Sequence, residues 1–192
     1  MKNRCVFKIH KIFINSIILG VFASFLHFVY KISGNNLIIG LFNPVRESVW
    51  EHLKLMFFPF LLWWIVIYIK KHKEYEITLD TWIVSAAVSL VVSVSSVVLL
   101  YYSYTGALGI KSVFIDILLV FVCYFISLCV ASHFLKYIDP DKWAVIISII
   151  VITVKFISFI AFTFNPPQLP IFFDNSGASR TGYPALGMGA FF

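Results

Sequence analysis

The sequence predicts an all-α, polytopic transmembrane helix bundle of about five spans. Apolar runs of about twenty residues follow one another with short polar breaks, the pattern of consecutive bilayer crossings. Hydrophobic residues make up 60% of the 192-residue chain, and 12% are charged. Soluble proteins carry roughly 25% charged residues. So few charges cannot build a water-facing shell, and the expected solvent is lipid.

The first span is read at residues 12–30, behind Lys2, Arg4, Lys8 and Lys11. A basic stretch ahead of an apolar one resembles a signal peptide, but the run is too long and has no clear small-x-small cleavage site. It is therefore expected to stay as an uncleaved span. The second span, 44–69, has a short apolar core at 55–69, extended backwards by a helix expected to begin near Pro44. The third, 81–102, carries Ser85, Ser89, Ser93 and Ser96 within about 80° of one helix face. Such a stripe is read as a packing seam, because small side chains let helices approach closely in lipid. The fourth and fifth spans are 112–135 and 143–164.

Residues 1–164 thus form one membrane domain, and 165–192, with Pro166, Pro167, Pro170 and Pro184, form a loop-like Pro/Gly-rich tail. Placing the N-terminus in the cytoplasm puts nine Lys and Arg inside: Lys2, Arg4, Lys8, Lys11, Lys70, Lys71, Lys73, Lys136 and Lys142. Five remain outside, namely Lys31, Arg46, Lys54, Lys111 and Arg180. The positive-inside asymmetry favours this orientation, in a cell membrane, with an extracytoplasmic tail. Trp82 and Trp143 are read as interfacial anchors at span ends.

The net charge of +6 does not indicate nucleic acid, because the basic residues sit in the gaps between spans and form no stripe. Cys5, Cys123 and Cys129 make neither a disulfide framework nor a CxxC site.

The chemistry concentrates in Asn43-Pro44-Val45-Arg46-Glu47-Ser48-Val49-Trp50-Glu51-His52-Leu53-Lys54. Asn43 suits a helix N-cap and Pro44 the first helical position. On a helix starting there, Glu47, Ser48, Glu51 and His52 fall within about 140° of one side. That side is costly in lipid and is expected to face protein or a water-filled cavity. With the assumed topology, His27, this motif and Asp116 share the outer half of the membrane, which predicts one outward-opening polar pocket lined by His27, Asp116 and Lys155. Lys155 lies near the middle of the fifth span and is expected to turn inward toward Asp116 or a motif glutamate. Glu47, Ser48, Glu51 and His52 are the candidate catalytic groups. His27, Glu51 and His52 are the candidate ligands of a divalent metal that would activate water. In a plainer alternative, Glu47, Glu51 and Lys54 form a surface ion-pair ladder, or the polar groups only fix helix packing.

On this motif the chain resembles a family of small bacterial multispanning membrane proteins known only as a domain of unknown function. The family pattern is an Asn-Pro-Val-x-Glu-Ser-x-Trp-Glu-His-x-Lys run after the first span and a Pro-Pro-x-x-Pro-x-Phe segment after the last. Here these are Asn43 to Lys54 and Pro166 to Phe172. The chain departs from the pattern at Arg46, where Asn is expected, and after Asp174, where Asn175-Ser176-Gly177 replaces an Asp-Pro continuation. The resemblance implies a membrane location and no particular activity. Glu47, Ser48 and His52 also echo, as an analogy, the superfamily of alkaline ceramidases and progestin and adiponectin receptors. That group has about seven spans and C-terminal histidines, whereas no histidine lies beyond His133.

Three readings follow: a pocket for a small or lipid-derived ligand with hydrolytic chemistry, a transport component relaying charge through Lys155 and Asp116, and a subunit of a membrane complex with no chemistry of its own.

Overall fold

The computed structural model describes residues 7–75 and 77–174; Cys5 and the tail beyond Asp174 lie outside them. Five of its helices are long and apolar enough to cross a membrane: Ile9–Ile32 (α1), Val49–Tyr75 (α3), Leu79–Leu108 (α4), Val113–Tyr137 (α5) and Lys142–Phe164 (α6). A short helix, Leu37–Phe42 (α2), precedes α3, and a 3-10 turn, Pro170–Phe172, follows α6. The chain is an all-helical, multi-pass membrane protein.

Helix α2 is not anticipated by hydropathy. After α1 the backbone turns through Gly34 and Asn35, with φ of 71° and 63°. Asn36 then caps α2, its side chain accepting the Ile38 and Ile39 amides. The start of α3 also differs from expectation. Residues 43–48 are not helical, and Ser48 is the residue that starts the helix. Its Oγ accepts the Glu51 N–H at 3.3 Å and its carbonyl accepts the His52 N–H at 3.2 Å. A Ser-x-x-Glu run beside the apolar stretch outcompetes the Asn43-Pro44 pair because it satisfies donors at the first turn of the buried segment. Asn43 instead ends α2, donating its side-chain amide to the Ile39 carbonyl.

Helix α3 is the axis of the bundle, with Leu53, Met56, Phe57, Phe60 and Trp64 almost wholly buried. It runs antiparallel to α1, since Trp63 Nε1 donates to Asn15 at one end while His52 stacks on His27 at the other. It is likewise antiparallel to α4, joined by Trp64 Nε1 to Ser89 Oγ at 2.8 Å and Ser93 Oγ to the Met56 carbonyl at 3.5 Å. Ser85, Ser89 and Ser93 are fully buried, so this part of the serine stripe is a seam in which hydroxyls take indole and carbonyl partners. Ser96 is only partly covered. Trp82 departs from its expected role: it is buried and donates to the Trp64 carbonyl. Packing of α4 on α3 draws it away from the headgroups. Trp143 is exposed beside Lys142, as an anchor would be.

Pro59 lies inside α3 and cannot supply the amide that Leu55 would normally receive. Tyr124 of α5 donates its hydroxyl to that carbonyl at 2.5 Å. Helix α5 also packs on α1, where a Cβ added to Gly20 would stand 2.4 Å from the Phe121 ring. Cys123 and Cys129 are both free thiols. The Pro-rich segment after α6 folds back onto the start of α3: Phe172 stacks on Trp50 at 4.8 Å and meets Phe162 edge-on. Thus the two sequence motifs touch.

Candidate functional site

The short connections place the C-terminal ends of α1, α4 and α6 and the N-terminal ends of α3 and α5 on one side of the bundle. The polar groups there divide into three clusters among the described residues.

The first cluster is partly exposed. His27, five residues before the end of α1, stacks its ring on His52 at 5.0 Å and 28°. Glu47, in the non-helical segment before α3, lies between them and the bulk. Its Oε2 is 3.4 Å from His52 Nε2 and 4.0 Å from His27 Nε2, and its Oε1 accepts from Lys31 Nζ at 3.2 Å. One ligand atom from each of His27, Glu47 and His52 lies within 4.8 Å of the other two. Atoms bound to one tetrahedral metal at about 2.0–2.2 Å stand roughly 3.3 Å apart. Side-chain adjustments of about 1 Å would therefore close the trio on an ion.

His52 is oriented for such a role. Its Nδ1 is 2.8 Å from the Ser48 carbonyl, an acceptor only, so Nδ1 is the donor there, and Nε2 is the nitrogen that faces Glu47. A backbone carbonyl on the far nitrogen is the usual support of a metal-binding imidazole.

The second cluster is structural. Lys54 is fully buried, and its ammonium donates to Glu51 Oε2 at 2.7 Å, to the Gly40 carbonyl at 2.9 Å and to the Asn43 carbonyl at 3.4 Å. Glu51 Oε2 also accepts the Val45 amide at 3.0 Å. This ion pair ties α2 and the connecting loop to α3. Arg46 donates to the Thr163 carbonyl at 3.0 Å and so caps the end of α6.

In the third cluster, Asp116 accepts the Tyr104 hydroxyl at 2.5 Å, and that hydroxyl oxygen accepts the Ser112 amide at 3.4 Å.

Of the sequence-predicted residues, the structure brings together His27, Glu47 and His52. It separates Glu51, which was expected beside the histidines as a metal ligand: the helix starts at Val49, so Glu47 and Glu51 do not share a helix face. Ser48 is buried and engaged in capping, with no free access for a nucleophile. Asp116 is held by Tyr104, and Lys155 makes no hydrogen bond or ion pair with any described residue, so the expected pairing of the two is not formed. The anticipated common pocket is replaced by separate clusters, and one concave surface that does form, along Ile17, Ile18, Val21, Phe22 and Phe25 of α1, is apolar. Lys31 was missed as a site residue; its place one turn after His27 was the available signal.

No curated protein and no solved structure matches the chain. A family model does, over residues 1–182. The chain belongs to the Family of unknown function (DUF6512).

Proposed function

We propose that this multi-pass membrane protein binds a divalent metal ion through His27 Nε2, Glu47 and His52 Nε2, on the extracytoplasmic side. The observation that carries the reading is the convergence of two imidazoles and a carboxylate from three chain segments within 4.8 Å. Two neutral imidazoles and one carboxylate suit zinc and other borderline first-row ions. All three residues are partly exposed, so a bound ion would keep positions for water or a ligand. The positive-inside asymmetry of the loops supports the orientation.

A metal with open positions at the membrane boundary suits a small or lipid-derived ligand whose polar group reaches the ion while its apolar part stays in the bilayer. Lowering the pKa of a bound water would make the site hydrolytic. The ion pair of Glu51 and Lys54 then acts as the rigid base of the loop that presents Glu47.

The test is Zn2+ titration of the protein purified metal-free in detergent, followed by calorimetry, with elemental analysis of the untreated protein. One high-affinity ion per chain is expected, lost in His27→Ala, Glu47→Gln and His52→Ala. Binding that survives all three substitutions would end the proposal.

A further inference from the structure

Helix α6 is the least covered of the five spanning helices: 11% of its most apolar stretch is buried, against 50% for α3. It nevertheless carries Lys155 near mid-span. Lys155 is only partly buried and has no hydrogen bond or ion pair with any described residue. On a helical wheel it lies about 20° from buried Ser148, 40° from buried Phe159 and 60° from half-buried Ser158, with exposed Val154 about 100° away.

The ammonium cannot reach water easily. Lys155 is nine residues from the α6 terminus at Phe164, or about 13 Å at 1.5 Å per residue. Side chains on a helix lean toward its N-terminus, so this lysine leans away from the nearer end. Snorkelling toward that end works against the helix geometry.

Other unsatisfied polar atoms lie at similar depth. Thr81 Oγ1 donates to the Ile138 carbonyl, which brings the start of α4 beside the α5–α6 connection. From there Lys155 is about 20 Å along α6 and Ser95 about 24 Å along α4. Helices α4 and α6 pack on each other. Neither Ser95, which is exposed, nor Ser96 hydrogen-bonds to any described residue. Helix α6 therefore carries a half-buried cation, unpaired among the described residues, at mid-membrane depth on the least covered span, where ionisable groups ordinarily pair.

We infer that Lys155 forms a docking point within the membrane for the transmembrane helix of a different protein that carries a mid-span Asp or Glu. Charge complementarity selects the partner. A second copy of this chain lacks the required group: its acids in the described spans lie near helix ends, Glu51 is engaged with Lys54, and Asp116 with Tyr104. The inference is independent of the metal site.

The experiment uses the full chain labelled with a donor fluorophore in phosphatidylcholine vesicles. The probe is an acceptor-labelled, leucine-rich transmembrane peptide with one central Glu, compared with its Gln and Leu counterparts. Energy transfer is expected to show the Glu peptide associating at least tenfold more strongly than the Leu peptide. Lys155→Met should abolish that preference and Lys155→Arg keep it, with circular dichroism showing both variants folded. Equal association of the Glu and Leu peptides would overturn the inference, as would a Glu preference that survives Lys155→Met. Lys155-dependent self-association of the chain without peptide would also overturn it, because the site would then belong to a second copy.

Discussion

Tyr124 donates its hydroxyl to the Leu55 carbonyl, the acceptor that Pro59 deprives of its amide. A proline in a spanning helix is tolerated when a neighbour satisfies the freed carbonyl, and here the neighbour is a fully buried tyrosine from another helix. The contact joins α5 to α3 at the centre of the bundle. Tyr124→Phe should therefore cost about 1–2 kcal/mol in reversible unfolding in mixed micelles. In a Pro59→Ala background, where the helix restores its own hydrogen bond, the cost should shrink. Equal costs in both backgrounds would show that the tyrosine serves some other contact.

The Glu51 and Lys54 pair should behave as a buried unit. Lys54→Met leaves the Glu51 carboxylate buried without its cation, and Glu51→Leu leaves the ammonium, so each should destabilise by about 3–5 kcal/mol. The double substitution should recover much of the loss, because no charge is then stranded. A double-mutant cycle in the same unfolding assay measures the coupling, and strictly additive losses would contradict the geometry.

Metal affinity should respond to Lys31 and to pH in stated directions. Lys31 holds Glu47 in the absence of an ion and is itself exposed, so Lys31→Met should tighten Zn2+ binding by about two- to fivefold. Bound imidazoles must be neutral, and histidine protonates in the range of about pH 5–8. Binding measured by calorimetry should weaken steadily from about pH 7.5 to about pH 5.5. A flat profile, or weaker binding in Lys31→Met, would be inconsistent with the trio as the ligand set.

Phe172 is expected to hold the Pro-rich segment against Trp50. Phe172→Ala should lower the local opening free energy of residues 165–174 by about 2–3 kcal/mol, seen as faster amide exchange there with α4 and α5 unaffected. Unchanged exchange would mean that other contacts fasten the segment.

The spanning helices were legible in the sequence because length and uninterrupted apolarity are set by the thickness of the solvent they cross. The loop from Ser33 to Ser48 was not, because its shape comes from local hydrogen bonds that hydropathy does not register. Asn43-Pro44 imitated a helix start, and the true start at Ser48 needed the Ser-x-x-Glu pattern to be weighed above it. That shift turned Glu47 toward the histidines and drove Glu51 into the core. His27 was legible as a partner of the motif through the antiparallel course of α1 and α3. Trp82 was misread because an aromatic at a span end has the same signature whether it meets headgroups or a neighbouring indole. The separation of Lys155 from Asp116 reflects depth: one is mid-span and the other a turn from a helix start.

His27, Glu47 and His52 all come from the first third of the polypeptide, and so do the groups that brace them, Ser48 and the ion pair of Glu51 and Lys54. A ribosome that has released α3 has already delivered every side chain of this cluster to the translocon. The later helices then fix its geometry, because Arg46, next to Glu47, is fastened to the end of α6 through the Thr163 carbonyl.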